Sequence, residues 1–222
     1  MPLRPDKSRY ATRSGRSRLF RFDQSFLRQY ACLAGVDEVG CGPLAGPVVA
    51  AAVILPEVCE LPGLNDSKKL SAPRRETLAV LIRRAALAIG VGIVEADEID
   101  RINIRQASFA AMRQALRELK IVPAHVLVDG FSIPRGPSSQ AGIVGGDGKS
   151  AHIAAASIIA KVTRDAMMVA WDRQFPVYGF KRHKGYGTPE HLSALKRFGP
   201  SPIHRLSYSP VRAASRLGSD PN

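Results

Sequence analysis

Asp37 and Glu38 stand side by side in Gly35-Val-Asp-Glu-Val-Gly-Cys-Gly42, directly after an apolar run, and Asp129-Gly130 closes a second apolar run, His125-Val-Leu-Val. A carboxylate at the end of a buried strand costs free energy unless something offsets its charge. Asp165 adds a fourth acid, inside the Ala-rich stretch that follows Ser150. Each has an ordinary explanation alone: Asp129-Gly130 suits a turn, and Asp165 can pair with Lys161 one helical turn back. Together, four carboxylates at the ends or faces of core elements predict convergence on hard divalent cations, which prefer oxygen ligands.

The remaining charge says what such cations would be for. Among 222 residues there are 32 Lys+Arg against 19 Asp+Glu, a net charge of +13. That excess points to a polyanionic partner, nucleic acid or an anionic membrane surface. Carboxylates repel phosphates unless cations stand between them. Two metal ions about 3.5–4 Å apart reverse the local sign, activate water and offset charge on a leaving oxygen. The combination predicts a metal-dependent nuclease. The competing reading is a basic module that binds nucleic acid and whose acids are structural.

Other chemistries are excluded by spacing. Gly148-Lys149-Ser150 resembles the end of a P-loop, but the first glycine of that motif would fall at Ile143. Gly40-Cys41-Gly42 is followed by Gly46 rather than a glycine at 45, so the dinucleotide fingerprint fails too. Cys32, Cys41 and Cys59 are odd in number and lack C-x-x-C spacing, which fits neither a disulfide framework nor a zinc site. There is no apolar run of about 18 residues and no apolar segment behind the Arg-rich start, so neither a membrane span nor secretion is expected. A cytoplasmic, monomeric protein without a membrane partner is the expectation.

The elements that must position the acids are legible as patterns. Residues 31–37 and 46–55 predict two buried strands joined by a Gly/Pro-rich tight link, with Pro56 ending the second. Ser71 is placed to cap a helix to about Leu87. Ala88–Val94 predicts a third strand, Asn103 leads into a helix to about Leu119, and His125–Asp129 is the cleanest buried strand. A short strand is expected near Gly142, a long helix from Ser150 to about Gln174, and a short one from Pro189 to Phe198. Strands alternating with helices behind a leading hairpin predict an α/β fold with a mixed sheet. Residues 1–29 read as a basic mobile arm, 30–212 as one domain with a basic, partly helical C-terminal segment, and 213–222 as a tail.

Six motifs then occur in order: residues 35–48 (GVDEVGCGPLAGPV), 65–70 (NDSKKL), 127–130 (LVDG), 153–165 (IAAASIIAKVTRD), 178–188 (YGFKRHKGYGT) and 199–205 (GPSPIHR). Together, over roughly Ala34 to Val211, the chain resembles the bacterial ribonuclease HII family, the type 2 ribonucleases H. The resemblance implies a ribonuclease H-like sheet flanked by helices. It implies an endonuclease that cuts the RNA strand of RNA–DNA hybrids, and single ribonucleotides embedded in duplex DNA, leaving a 5′-phosphate. It further implies Mg²⁺ or Mn²⁺, two ions, held by Asp37, Glu38, Asp129 and Asp165.

The same resemblance assigns recognition of the junction to a Gly-Arg-Gly segment, which falls on Gly40, Cys41 and Gly42, and to a ribose-facing tyrosine, which falls on Tyr186. Cys41 departs from the family's arginine; a thiol cannot supply the charge-assisted phosphate contact, a loss of roughly 1.5–3 kcal/mol. Lys68, Lys69, Lys181, Lys184, Arg197 and Arg205 are basic enough to meet phosphates, but solvation explains most of them. Lys68 and Lys184 are singled out because they lie in family-like words. His183, His191 and His204 are read as structural or as phosphate neighbours, not as catalytic bases.

Overall fold

The computed structural model describes residues 18–217. Strands β1 (Leu33–Val39), β2 (Val48–Ile54), β3 (Ala88–Val94), β4 (His125–Asp129) and β5 (Gln140–Ile143) form one sheet in the order β3-β2-β1-β4-β5. β1 pairs antiparallel with β2, and β2 with β3; β4 runs parallel to β1, and β5 to β4. The mixed sheet expected from the sequence is present. β2 reads Val-Val-Ala-Ala-Ala-Val-Ile and is buried at every position, as a strand covered on both faces must be.

Helix α5 (Ala151–Gln174) covers one face and α4 (Ile104–Arg117) the other. Small residues let both approach closely. At Gly35 in β1 a Cβ would lie 2.1 Å from the carbonyl carbon of His152, so any side chain there would push α5 off the sheet. Ser150 caps α5 by accepting from the Ile153 amide, and Asn103 caps α4 by accepting from the Gln106 amide. Ser71 occupies the cap position of α2 (Ala72–Ala85), but its hydroxyl makes no capping bond. The stretch ahead of Asn103 forms a further short helix of its own, α3 (Ala96–Ile102).

Two boundaries differ from expectation. Residues 1–17 of the expected mobile arm lie outside the described residues, but Arg18–Leu27 forms helix α1. Leu19 and Phe20 enter the core under α5, where burying each contributes about 1.5–3 kcal/mol. Phe22, Phe26 and Leu27 pack beside Leu33 and Leu127, and Asp23 is buried against His152. The arginines among these positions mask an apolar face with helical spacing. At the other end, α6 (Phe180–His183), α7 (Pro189–Phe198) and α8 (Ser209–Leu217) form a helical layer. The expected tail from residue 213 begins inside α8, whose Val211 and Ala214 are buried beside Leu44 and Leu195. Residues 218–222 lie outside the described residues. No helix among the described residues is long and apolar enough to cross a membrane.

Candidate active site

The sheet register brings the first acids together. Val36 of β1 lies opposite Val128 of the parallel neighbour β4, so the residues that follow lie side by side, Asp129 at the end of β4 and Asp37 two residues before the end of β1. Asp129 in turn opposes Ile143 of β5, and four residues later the chain returns with Asp147. One carboxylate oxygen from each of Asp37, Asp129 and Asp147 lies within 4.8 Å of the others. Every donor in this group is a carboxylate oxygen, the set preferred by Mg²⁺ and Mn²⁺, not by softer metals.

Local bonds orient the acids without neutralising them. Asp37 faces α5, where Ser157 bonds it, and Ser157 is itself 2.9 Å from the hydroxyl of Ser67. Asp37 also accepts from the Glu38 amide at 2.7 Å, and Asp129 from the Gly146 amide at 2.6 Å. Burial, then the charges of Glu38 and Asp129, hold the Asp37 carboxyl well above its ordinary range. Burial and Asp129 raise Glu38; burial and Asp147 raise Asp129. Protein donors therefore do not offset the charge of this group.

Glu38 alternates to the other face of β1 from Asp37 but stays close enough to the acids for the Asp129 charge to raise it. It stands outside the three-oxygen group and meets the Cys41 thiol at 3.8 Å. Asp165 is placed differently from the sequence expectation. It lies about four turns into α5, bonded to Lys161 at 2.7 Å and 3.9 Å from Arg75, and it does not join the group. The ordinary helical ion pair explains it. Asp147 was missed because Gly145-Gly146-Asp147-Gly148 reads as a turn. The available signal was its kinship with Asp129-Gly130: an acid between glycines, just past a short strand.

The other candidates divide. Lys68 places its ammonium 3.3 Å from Asp147, beside the acids. Burial would lower its pKa, but Asp147, with help from Asp37 and Asp66, raises it on balance. The Tyr186 ring stands exposed beside Gly42, where an added Cβ would lie 3.7 Å from Tyr186 Cε1. Cys41 is exposed, with its sulfur 3.2 Å from the Ser108 hydroxyl. Although the residue as a whole is exposed, its sulfur is tucked against Ser108, and this partial burial, with Glu38, pushes the thiol up, so it is not an activated thiolate. Lys184 stands off this group, in a left-handed turn (φ 53°), with its ammonium on the Lys181 carbonyl. It lines a separate groove with Arg75 and Asp165.

Arg205, counted among the basic surface residues, is fully buried. Its guanidinium donates to the carbonyls of Gly40, Cys41 and Gly46 and to the Tyr208 hydroxyl. Arg164, also buried, donates to the carbonyls of Ala45, Pro47 and Lys184. The Gly40–Pro47 loop is thus clamped from beneath by two side chains. Gly40 is required there: its φ is +95°, and a Cβ would lie 2.4 Å from Arg164 Nε.

A mixed sheet with acids gathered at the ends of adjacent central strands defines a hydrolase of the ribonuclease H type. The solved ribonuclease H2 of Pyrococcus horikoshii OT3 shares this architecture, with a TM-score of 0.72 and 26% identity over 85% of this chain and all of that one. Bst-RNase HIII, solved in complex with Mn²⁺, is similar in fold alone, with a TM-score of 0.68 at 18% identity over 85% of this chain and 70% of that one. Among sequences, the ribonuclease HII of Pelotomaculum thermopropionicum is 53% identical over 95% of this chain and 80% of its own length. That of Geobacter sulfurreducens is 56% identical over 83% and 85%. The ribonuclease HII family model matches residues 34–211. The chain belongs to the ribonuclease HII family and is an endoribonuclease.

Proposed function

We propose that this endonuclease cuts the RNA strand of RNA–DNA hybrids, and single ribonucleotides embedded in duplex DNA, at a centre that holds Mg²⁺ or Mn²⁺, two ions, on Asp37, Glu38, Asp129 and Asp147. The observation that carries the reading is the convergence of Asp37, Asp129 and Asp147 at the ends of β1, β4 and the turn after β5. Asp147 replaces Asp165 in the set that the sequence suggested.

Divalent cations would supply the positive charge that lets phosphate approach the acids, activates water and offsets charge on the leaving oxygen. The chain's own residues do the rest. Asp37, fixed by Ser157 and the Glu38 amide, and Asp129, fixed by the Gly146 amide, present preset oxygens. Lys68, 3.3 Å from Asp147, is placed to meet a phosphate at the edge of the group. Gly42 leaves room beside the Tyr186 ring, where a ribose can lie and its 2′-hydroxyl be distinguished from a deoxyribose. The buried guanidiniums hold the Gly40–Pro47 loop still under that contact.

The test is parallel cleavage, with Mg²⁺ and with Mn²⁺, of a labelled long hybrid and of a duplex carrying one ribonucleotide. Wild type should cut both and leave all-DNA duplex intact. Asp147→Asn should lower cutting about a thousandfold, and Asp165→Asn should retain it within about threefold, the scale of a weak surface pair. The reverse pattern returns Asp165 to the centre. Binding without cleavage by the wild type would sink the enzymatic reading.

A further inference from the structure

Away from the acids, His183, His191 and His204 are buried together with Tyr178 and Phe180, behind the turn that carries Tyr186. Their hydrogen bonds fix which nitrogen of each ring carries the proton. The Ser201 amide donates to His204 Nδ1 at 2.9 Å, so the proton of His204 sits on Nε2. His191 Nδ1 lies 2.9 Å from the Tyr186 carbonyl oxygen, which only accepts, so the proton of His191 sits on Nδ1 and its Nε2 is an acceptor. The two Nε2 atoms are 3.0 Å apart. A donor therefore faces an acceptor, and the chain runs one way: Ser201 N–H to His204, His204 to His191, His191 to the Tyr186 carbonyl.

His183 closes the turn from the other side. It accepts from the Gly185 amide at Nδ1 and donates from Nε2 to the Tyr178 carbonyl at 2.7 Å. Its own carbonyl accepts from the Tyr186 amide at 2.9 Å, and its ring stacks on His191 at 4.5 Å. Both backbone groups of Tyr186 are thus bonded to this histidine group, while the Tyr186 ring is 47% exposed beside Gly42. Burial keeps all three imidazoles neutral at pH 7, with His204 lowered to about 4. The residues on either side of His204 are tied to the same loop: the Gly46 amide donates to the Ile203 carbonyl, and the Arg205 amide to the Leu44 carbonyl.

We propose that His204 and His191 are positioning residues: their one-way hydrogen-bond chain sets the backbone of Tyr186 so that its ring stands over Gly42 at the substrate edge. The proposal rests on the reading of Tyr186 as a ribose contact. It differs from a core-filling role in one respect. A filler needs only ring volume, whereas the chain needs a donor at His204 Nε2 and a particular tautomer at each ring.

Two measurements on the full chain separate these. Long-range ¹⁵N–¹H spectra of the unaltered protein should show His204 as the Nε2–H tautomer and His191 as the Nδ1–H tautomer; the opposite assignment for either ring overturns the proposal without any variant. Steady-state cleavage of the duplex with one ribonucleotide is the second. His204→Leu should raise KM about tenfold with kcat within about twofold, and His204→Gln, which keeps a donor toward His191, should stay near wild type. Adding Tyr186→Ala to His204→Leu should raise KM no further, since both remove one contact. Additive effects, or a KM for His204→Leu equal to that of wild type, would overturn the proposal. If Tyr186→Ala alone leaves KM unchanged, the ribose reading of Tyr186 falls. The relay is then judged by the tautomers and by whether His204→Leu shifts the Tyr186 amide signal while His204→Gln does not.

Discussion

Two buried groups of like charge lie a few residues apart along one strand and its loop, and they are built in opposite ways. At the end of β1, Asp37 and its neighbours crowd carboxylates that repel one another, and each of Asp37, Glu38 and Asp129 is shifted toward its neutral form. Beyond Val39, Arg164 and Arg205 crowd two guanidiniums, also shifted toward neutrality by burial, Arg164 to about 10. Yet Arg164 and Arg205 are well supplied with partners: their N–H groups meet backbone carbonyls of the Gly40–Pro47 loop and its neighbours. The carboxylates also have donors, the Ser157 hydroxyl and the Glu38 and Gly146 amides, but Lys68 on Asp147 is a single positive charge set against several negative ones. A cluster whose hydrogen bonds are complete is architecture; a cluster whose charge is left uncompensated is prepared for a cation.

The contrast is broken most severely at its acidic end. Asp129→Asn and Asp147→Asn should each lower kcat/KM by about a thousandfold, the size of several kcal/mol of lost charge stabilisation, while binding of a hybrid persists. Single-turnover cleavage beside a binding isotherm checks both. A variant that cuts at near-normal rate removes its residue from the centre.

The arginine end should fail by unfolding. Arg205→Met leaves the buried carbonyls of Gly40 and Gly46 short of a donor, at about 1–3 kcal/mol each, while the Cys41 carbonyl keeps the Tyr208 hydroxyl. The total of about 2–6 kcal/mol lowers Tm by roughly 4–24 °C for a chain of this size. Arg205→Lys should not rescue it, because an ammonium cannot reproduce the planar fork. A melt unchanged by Arg205→Met would show that the loop holds itself.

What the sequence made legible follows the same division. The strands at β1, β3 and β4 and the helices α5 and α7 were readable, because apolar runs, Gly/Pro punctuation and caps such as Ser150 and Asn103 are local signals. Asp37 and Asp129 stood out as acids closing apolar runs. Asp147 did not: it comes after the short, partly exposed β5 and sits among glycines, so only the register of β4 against β5 shows that it returns to the group. Arg164 and Arg205 gave no sign, since a guanidinium bonded to carbonyls leaves no opposite charge in the sequence. Helix α1 was hidden for a related reason, its apolar positions standing among arginines.

Cys41 tests the loop at the border between the two groups. An arginine there would rise from a clamped backbone toward the acids and any phosphate bound beside them. Cys41→Arg should tighten hybrid binding about tenfold at fixed ionic strength, the scale of one charge-assisted hydrogen bond. Salt must be held constant because phosphate contacts make affinity salt-dependent. Unchanged or weaker binding would mean that position 41 does not face the backbone of the nucleic acid.

The smallest effect is one of stability, and its sign is diagnostic. A carboxyl whose pKa is raised in the folded state stabilises the fold only while protonated, below its unfolded value near 3.8. That contribution is lost as pH rises through the raised folded value. At pH 7 the fold therefore bears the cost of holding Asp37 in burial beside Glu38 and Asp129, a cost the unfolded chain does not carry. Asp37→Asn removes the charge and should raise Tm in chelator by about 2–4 °C, near 1 kcal/mol for a chain of this length. The gain should shrink as pH falls through the raised pKa of Asp37. With Mn²⁺ present it should reverse, because a cation that binds only the native wild type stabilises it by mass action and the variant loses that ligand. A variant less stable than wild type at pH 7 in chelator would show that the acids are compensated within the protein, and the distinction between the two clusters would disappear.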